Sequence, residues 1–280
     1  MKKIRFVLSA LLLLCACEEQ NNQEVQPNED NLKVNLGFTV SKITDSAFEV
    51  GDMAGVFMDG VYSNIKLTYD VRWTPAEQMY WPDKATPQDF YAYAPYVAGA
   101  LNPASVPFQV KADQSVLANY KASDFVWGMM KNVAPTEDLL SISTKHALAN
   151  MIIKVAPGDG FTEESLAAST ISVQVMNVKI AAGINLKTSS ITPSGDAVTI
   201  TPYNTGEYWR ALIVPQTVAD GTQLISVDIN GVAYTLKRGF TFMSGKQSTF
   251  TVTVNKTNSG INIGLAGWET DDNDYGGEAE

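Results

Sequence analysis

From Leu32 onward, apolar and polar residues alternate along the chain, first in Val34-Asn35-Leu36-Gly37-Phe38-Thr39-Val40. A period of two puts every second side chain on one face of an extended strand, so this run predicts a half-buried β-strand. The same period returns in residues 65–71, 171–180 and 250–254. Two further alternating runs, 224–229 and 232–236, flank Asn230-Gly231. That pair predicts a type I′ hairpin, because both turn positions need positive φ. Ser194-Gly195-Asp196, between Ile191 and Val198-Thr199-Ile200, reads as another reversal. Helical signal is sparse. Thr162 precedes Glu163 and Glu164, an N-cap followed by acids in the first turn, and predicts a short helix to about Ala168. Residues 113–120 predict a second short helical turn.

Many short strands separated by turns predict an all-β sandwich architecture. A body of this size is large for one sandwich, which predicts two domains. The stretch Lys131-Asn132-Val133-Ala134-Pro135-Thr136-Glu137-Asp138 is polar and a strand-like run starts near Leu139. The division is therefore placed at 138, giving an N-terminal domain over 32–138 and a C-terminal domain over 139–268.

The first residues follow a different rule. Lys2, Lys3 and Arg5 precede an apolar run from Phe6 to Leu14. The run is short of the roughly 20 residues a membrane-spanning helix needs, but it suits a secretory signal. It ends in Leu14-Cys15-Ala16-Cys17, with a small residue before the second cysteine and leucine three before it. This resembles the lipobox of bacterial lipoproteins, so residues 1–16 read as a signal peptide and Cys17 as the lipidated first residue. The alternative is an ordinary signal cleaved near Ala16. Acyl chains would hold the body at a membrane, each buried CH₂ contributing about 0.8 kcal/mol. Residues 17–31 then form a flexible polar tether. Glu18 and Glu19 resemble the surface-export signal of Bacteroidetes lipoproteins, or are simply part of a solvated tether.

Composition narrows the chemistry. The 280 residues are 45% hydrophobic and 18% charged, enough apolar content for sizeable cores. The net charge of -10 argues against nucleic-acid binding. Much of the acidity sits at the ends, in Glu18, Glu19, Glu24, Glu29 and Asp30 and in the tail 269–280 with Glu269, Asp271, Asp272, Asp274, Glu278 and Glu280. The body between them is close to neutral. The chain has one histidine, His146, and both cysteines lie within the first 17 residues. Beyond Cys17 there is no disulfide, Cys/His metal site or thiol nucleophile. No metalloprotease, phosphate-loop or dinucleotide motif occurs. Asp271-Asp272-Asn273-Asp274-Tyr275 fails as a calcium loop, since Tyr275 stands where an oxygen ligand is needed. The sequence therefore predicts no catalytic residue, metal or cofactor, and a chain that is not an enzyme. Tyr91-Ala92-Tyr93-Ala94-Pro95-Tyr96 offers either a carbohydrate-stacking face or a core strand filled by rings.

The order of several short segments resembles the fimbrillin family of Bacteroidales, subunits and accessory proteins of type V fimbriae. They are Phe48-Glu49-Val50-Gly51-Asp52-Met53-Ala54-Gly55-Val56-Phe57-Met58, Met79-Tyr80-Trp81-Pro82-Asp83 and Phe90-Tyr91-Ala92-Tyr93-Ala94-Pro95-Tyr96 in the first half. In the second half they are Lys145-His146-Ala147-Leu148-Ala149-Asn150-Met151-Ile152-Ile153-Lys154-Val155, Arg210-Ala211-Leu212-Ile213-Val214-Pro215-Gln216, the run 244–254 and Trp268. The resemblance implies two tandem transthyretin-like (Greek-key) β-sandwich domains. It implies a lipoprotein of the cell outer membrane, exposed at the surface, working as a shaft, tip or anchor subunit of a fimbrium in cell adhesion. Its partners would be other fimbrillin subunits through strand exchange, the outer membrane through acyl chains at Cys17, and a host or bacterial surface receptor. Family shaft subunits are cleaved after arginine, whereas residues 18–49 hold Lys33 and Lys42 but no arginine. Either another protease acts, or this protein keeps its first strand and its lipid. The polymerising strands expected from the pattern are 33–41 and 248–256. Asp45-Ser46-Ala47 matches the short motif that carries O-glycans in Bacteroidetes exported proteins, which makes Ser46 a candidate glycosylation site. The alternative function is a surface glycan- or ligand-binding lipoprotein using the exposed part of the tyrosine cluster.

Overall fold

The computed structural model describes residues 31–40, 48–257 and 260–269. In chain order the elements are β1 (Asn35–Val40), β2 (Met53–Met58), β3 (Tyr62–Asp70), β4 (Arg72–Pro75), β5 (Gln88–Ala94), β6 (Val106–Gln109), α1 (Leu117–Ala122), β7 (Val126–Val133), β8 (Leu139–His146) and β9 (Ala149–Pro157). There follow α2 (Glu163–Ala167), β10 (Ile171–Asn185), β11 (Ser190–Ile200), β12 (Tyr203–Asn204), β13 (Trp209–Ile213), β14 (Gln216–Val218), β15 (Gln223–Ile229), β16 (Val232–Lys237), β17 (Phe240–Phe242), β18 (Gln247–Thr257) and β19 (Gly260–Glu269). The fold is all-β, as the alternation predicts.

The first half is a seven-stranded sheet in the order β1-β8-β7-β5-β2-β3-β4. It curls until its two end strands meet, with the rings of Phe38 on β1 and Trp73 on β4 only 4.9 Å apart. The enclosed face holds Val34, Leu36, Val56, Met58, Phe90 and Ile142, with Met79 and Trp81. The opposite face is also apolar: Phe57, Tyr91, Tyr93 and Trp127 belong to a second core that runs on into the other half.

The second half is a sandwich. One layer is β11-β10-β15-β16, with β6 paired to β10; the other is β12-β13-β9-β18-β19. Between them lie Val173, Val175, Ile225 and Val227 from one layer and Met151, Ile153, Phe250 and Val252 from the other. Along β10 such residues alternate because the inward face is the one that leaves water, whereas β9 and β15 are buried on both faces over much of their length.

The two halves are sewn together by residues 95–125. β6 pairs antiparallel to β10, from Val106↔Ile184 to Gln109↔Ala181. The chain then continues along the second half, Val110 donating to the Ile180 carbonyl at 3.0 Å and Thr201 to the Ala112 carbonyl at 2.8 Å. The fully buried Gln114 substitutes for a strand: Leu212 N–H donates to its Oε1 at 2.9 Å and its Nε2 donates to the Leu212 carbonyl at 2.9 Å. From α1, Tyr120 stacks under the Arg210 guanidinium, 4.5 Å from ring centroid to Cζ. A phenylalanine and tyrosine stack (Tyr93–Phe125, 5.5 Å; Phe108–Phe125, 4.8 Å) fills the space between the strap and the first sheet.

Local expectations mostly meet their elements. Asn230 and Gly231 carry φ of 53° and 87°, the type I′ requirement, between β15 and β16. Thr162 caps α2, sharing a capping box with Ser165. The second helical turn falls slightly later than expected, at α1. Two readings change. Ser194-Gly195-Asp196 is a bulge inside β11, where Lys179↔Ala197 and Ala181↔Ser194 leave two residues opposite one. Gly195 takes φ 74° there. A bulge and a tight turn ask for the same residue types, which is why the pattern alone misled. The run from Leu139, assigned by sequence to the C-terminal domain, instead joins the first sheet. There β8 pairs with β1 and, through Val126↔His146 and Trp127↔Lys145, with β7.

Candidate functional site

The N-terminal edge of the first sheet is built from the first described strand of the chain. β1 alternates Leu36 and Phe38 with Asn35, Gly37 and Thr39, and Leu36 and the preceding Val34 point into the enclosed core, 9% and 3% exposed. β1 lies parallel to β8 in an unbroken register from Asn35↔Leu139 to Val40↔Thr144. The hydroxyl of Thr144 donates to the Thr39 carbonyl at 3.0 Å, and the Asn35 amide to the Glu137 carbonyl at 2.6 Å. On its other side the segment before β1 is held by a short antiparallel bridge. Val34 N–H donates to the Met79 carbonyl and Trp81 N–H to the Leu32 carbonyl, each at 2.9 Å. Trp81 is buried beneath it, its indole N–H donating to the Thr136 carbonyl at 2.8 Å. Beyond the end of β1, Trp73 is ringed by Phe38, Phe48 and Tyr69 at centroid distances of 4.9, 4.7 and 5.2 Å. Its buried Nε1 has no hydrogen-bond partner among the described residues, an unfavourable arrangement in a sealed core.

β18, the other strand expected to polymerise, is placed differently. It runs through the middle of its layer, parallel to β9 from Gln247↔Asn150 to Val254↔Pro157 and antiparallel to β19 on its other edge. Of the two strands named from the pattern, only β1 stands at the end of a sheet.

The residues singled out for chemistry resolve as follows. Cys17 and Ser46 lie outside the described residues, as does most of the acidic tail. His146 is buried, with Nδ1 2.7 Å from an Asp124 carboxylate oxygen, at the junction between β8 and β9. Tyr91 and Tyr93 are 2% and 1% exposed and so present no stacking face. Burial, with the Asp89 carboxylate beside it, pushes the Tyr91 hydroxyl up to about 12. Burial likewise raises Tyr93, whose hydroxyl donates to Asn64 Oδ1 at 2.7 Å. These rings are structural: they join the first sheet to the strap. Among the described residues no group of three or more His, Cys, Asp or Glu side chains could hold a metal ion. No helix among them is long and apolar enough to cross a membrane. Sequence reasoning overlooked β8 as the partner of β1, although its alternation (Leu140, Ile142 and Thr144 inward) was open to reading, and it overlooked Gln114, which no motif marks.

A family model described as fimbrillin-like matches residues 41–268. A candidate fimbrium subunit, Fim1C of Bacteroides uniformis, is 24% identical over 291 residues, covering 93% of this chain and 93% of that protein. The crystal structure of a candidate cell adhesion protein from Bacteroides uniformis superimposes with a TM-score of 0.64 at 21% identity, over 88% of this chain and 99% of that one. One from Bacteroides ovatus gives 0.64 at 14% identity, over 86% and 98%. At these identities the two structures speak for the fold.

Proposed function

Since this chain belongs to the fimbrillin-like family, we propose that it is a structural subunit or anchor of a type V surface fimbria, assembled by strand exchange and supporting adhesion. The observation that carries this reading is the placement of β1. Its core-facing residues fill the enclosed face of the first sheet, and a single strand ladder, to β8, holds it along its length. An extended segment of a second subunit, laid parallel to β8 with apolar residues at alternate positions, would make the same main-chain bonds and occupy the same slots. The interior position of β18 argues for β1 as the exchanged strand.

The N-terminal motif supports the rest. Cys17 is the lipid attachment point, residues 17–31 are the tether, and the protein resides at the outer face of the outer membrane with its β body beyond. Processing at Lys42, which follows β1, would free the β1 position, whereas a cut at Lys33 would leave β1 attached to the body. Retention of β1 with the lipid would make the protein a base anchor. Ser46 is a candidate glycan site on the segment that follows β1. The two halves divide at Ala147-Leu148, after β8, and each corresponds to one of the two tandem transthyretin-like units.

Two experiments test this. Immunolabelled protein should appear in or at the base of filaments by electron microscopy of producing cells; labelled protein found only away from filaments would refute the subunit role. A Cys17→Ala chain should lose fatty-acid labelling, and continued labelling would refute the anchor. The glycan-binding alternative has no support from the buried Tyr91 and Tyr93.

A further inference from the structure

Among the described strands every pairing is antiparallel except two, β1 with β8 and β9 with β18. These two share a spine. β8 ends at His146 and β9 begins at Ala149, so one nearly continuous stretch receives the first strand of the fold on one ladder and β18 on the other. We propose that this arrangement is a force-bearing shear clamp: tension applied between the two ends of the protein runs through β1, across to β8, along to β9 and across to β18.

The argument is geometric. Tension from the N-terminal side pulls β1 from its N-terminal end, whereas it leaves β8 from its C-terminal end. In a parallel pair those ends lie at opposite extremes of the ladder. The strands are therefore loaded along their length, and the six register positions from Asn35↔Leu139 to Val40↔Thr144 share the load. The same holds at the second ladder, entered at the N-terminal end of β9 and left at the C-terminal end of β18, over the eight positions from Gln247↔Asn150 to Val254↔Pro157. An antiparallel or same-end pull would instead open a ladder one bond at a time. Each bond contributes little on its own, so cooperative loading is what gives resistance.

The junction between the ladders is pinned from both halves. Ala147 N–H donates to the Phe125 carbonyl at 2.8 Å, and His146 meets Asp124 at 2.7 Å. From the approach to β18, Ser244 Oγ donates to the Ala147 carbonyl at 2.7 Å, Gly245 N–H to the Leu148 carbonyl at 3.0 Å, and Asn150 N–H to the Lys246 carbonyl at 2.9 Å. Ala147 and Leu148 are buried. β19, antiparallel on the outer edge of β18, lies beyond the clamp and would peel first under a pull at the far C-terminus. The single histidine thus has a place in the spine and needs no catalytic one.

The filament reading supplies the source of tension but not the mechanics, so the test uses single chains. The chain from Glu18 onward keeps every described strand and has no cysteine, since both cysteines precede it. Paired cysteines can then serve as handles in optical tweezers. Asn31→Cys with Thr257→Cys loads both ladders in shear. Asn31→Cys with Asp138→Cys pulls β1 and β8 from matching ends, and Asp159→Cys with Thr257→Cys does the same for β9 and β18. The three chains should melt at the same temperature, and a handle at Glu18→Cys replaces Asn31→Cys if that change disturbs the fold. At one loading rate, the first pair should rupture in a single event at severalfold higher force than the other two. Rupture at a force no higher than theirs would overturn the clamp while leaving the subunit role untouched.

Discussion

β1 and β18 each lie parallel to one strand of the β8–β9 spine, yet they are built to different ends. β1 is six residues long, stands at the end of its sheet, and contributes Leu36 to an enclosed core alongside Val34 just before it. β18 is eleven residues long, is flanked by β9 and β19, and buries Phe250, Val252 and Val254 almost completely. One strand completes a sheet; the other is the middle of one. The difference bears on which strand the proposed exchange would involve. Under the proposed exchange, a strand with one ladder and a few apolar side chains would be replaceable by a similar segment, while a strand with two ladders is part of the frame.

The sharpest way to break that comparison is to put a charge on each strand. Val252→Asp places an unpaired carboxylate between the two layers of the sandwich, and a charge buried without a partner is among the costliest single changes. The expected loss is above about 4 kcal/mol, read as an unfolded chain by circular dichroism in the absence of denaturant. A folded, cooperatively melting Val252→Asp chain would show that β18 is not part of the frame. Leu36→Ala is the counterpart on β1. Truncating a buried leucine costs about 2–5 kcal/mol, and the low end is expected because the site lies under an end strand. Urea denaturation should show that smaller loss, and hydrogen exchange should show faster exchange in β8 with β18 unchanged. Equal exposure of both strands would remove the distinction.

How much of this could be read in advance follows from what alternation encodes. Strands with one wet face, such as β1 and β10, carry their period in the sequence. β2 does not: Ala54, Gly55, Val56, Phe57 and Met58 are all buried, because its sheet is covered on both faces, and the period of two disappears. β8 alternates cleanly, but alternation says that a segment is a strand, not which sheet it joins. Its partner β1 lies about a hundred residues away, and the division expected at 138 separates the two strands. Gln114 is invisible for a related reason. A glutamine is usually a surface residue, and only the stretch of β13 that the two-residue β12 leaves unpaired makes its amide a substitute for a strand. For candidate chemistry the sequence offered few residues: one histidine, which the fold buries against Asp124, and no cysteine beyond residue 17.

Gln114 gives the next test, since it asks whether the second half closes its edges without an exchangeable strand. Gln114→Leu keeps the volume but leaves the Leu212 N–H and carbonyl without the partner that now satisfies both. Leaving buried backbone groups unpaired costs about 1–3 kcal/mol, and about 2 is expected here. The loss should be read by urea denaturation, and exchange of the Leu212 amide should accelerate. If stability is unchanged, water satisfies the edge and the strap is held by its apolar contacts alone.

The smallest effect concerns the second contact between the halves. Lys187, in the turn after β10, donates to the Asp59 carboxylate at 2.8 Å in the turn between β2 and β3, with its Nζ 5.9 Å from the Tyr91 ring centroid. Both side chains are more than a third exposed, so solvent screens the pair and Lys187→Ala should cost only ~0.5 kcal/mol, less at high salt. The Tyr93–Phe125–Phe108 stack and the β6–β10 ladder remain, so the variant should still unfold in one transition by calorimetry. Two separated transitions in Lys187→Ala would mean that an exposed ion pair, rather than the strap, holds the halves together. That result would also weaken the contrast between β1 and β18, because a first sheet free to move as its own unit would carry β8, and with it the β1 ladder, away from the frame that β18 defines.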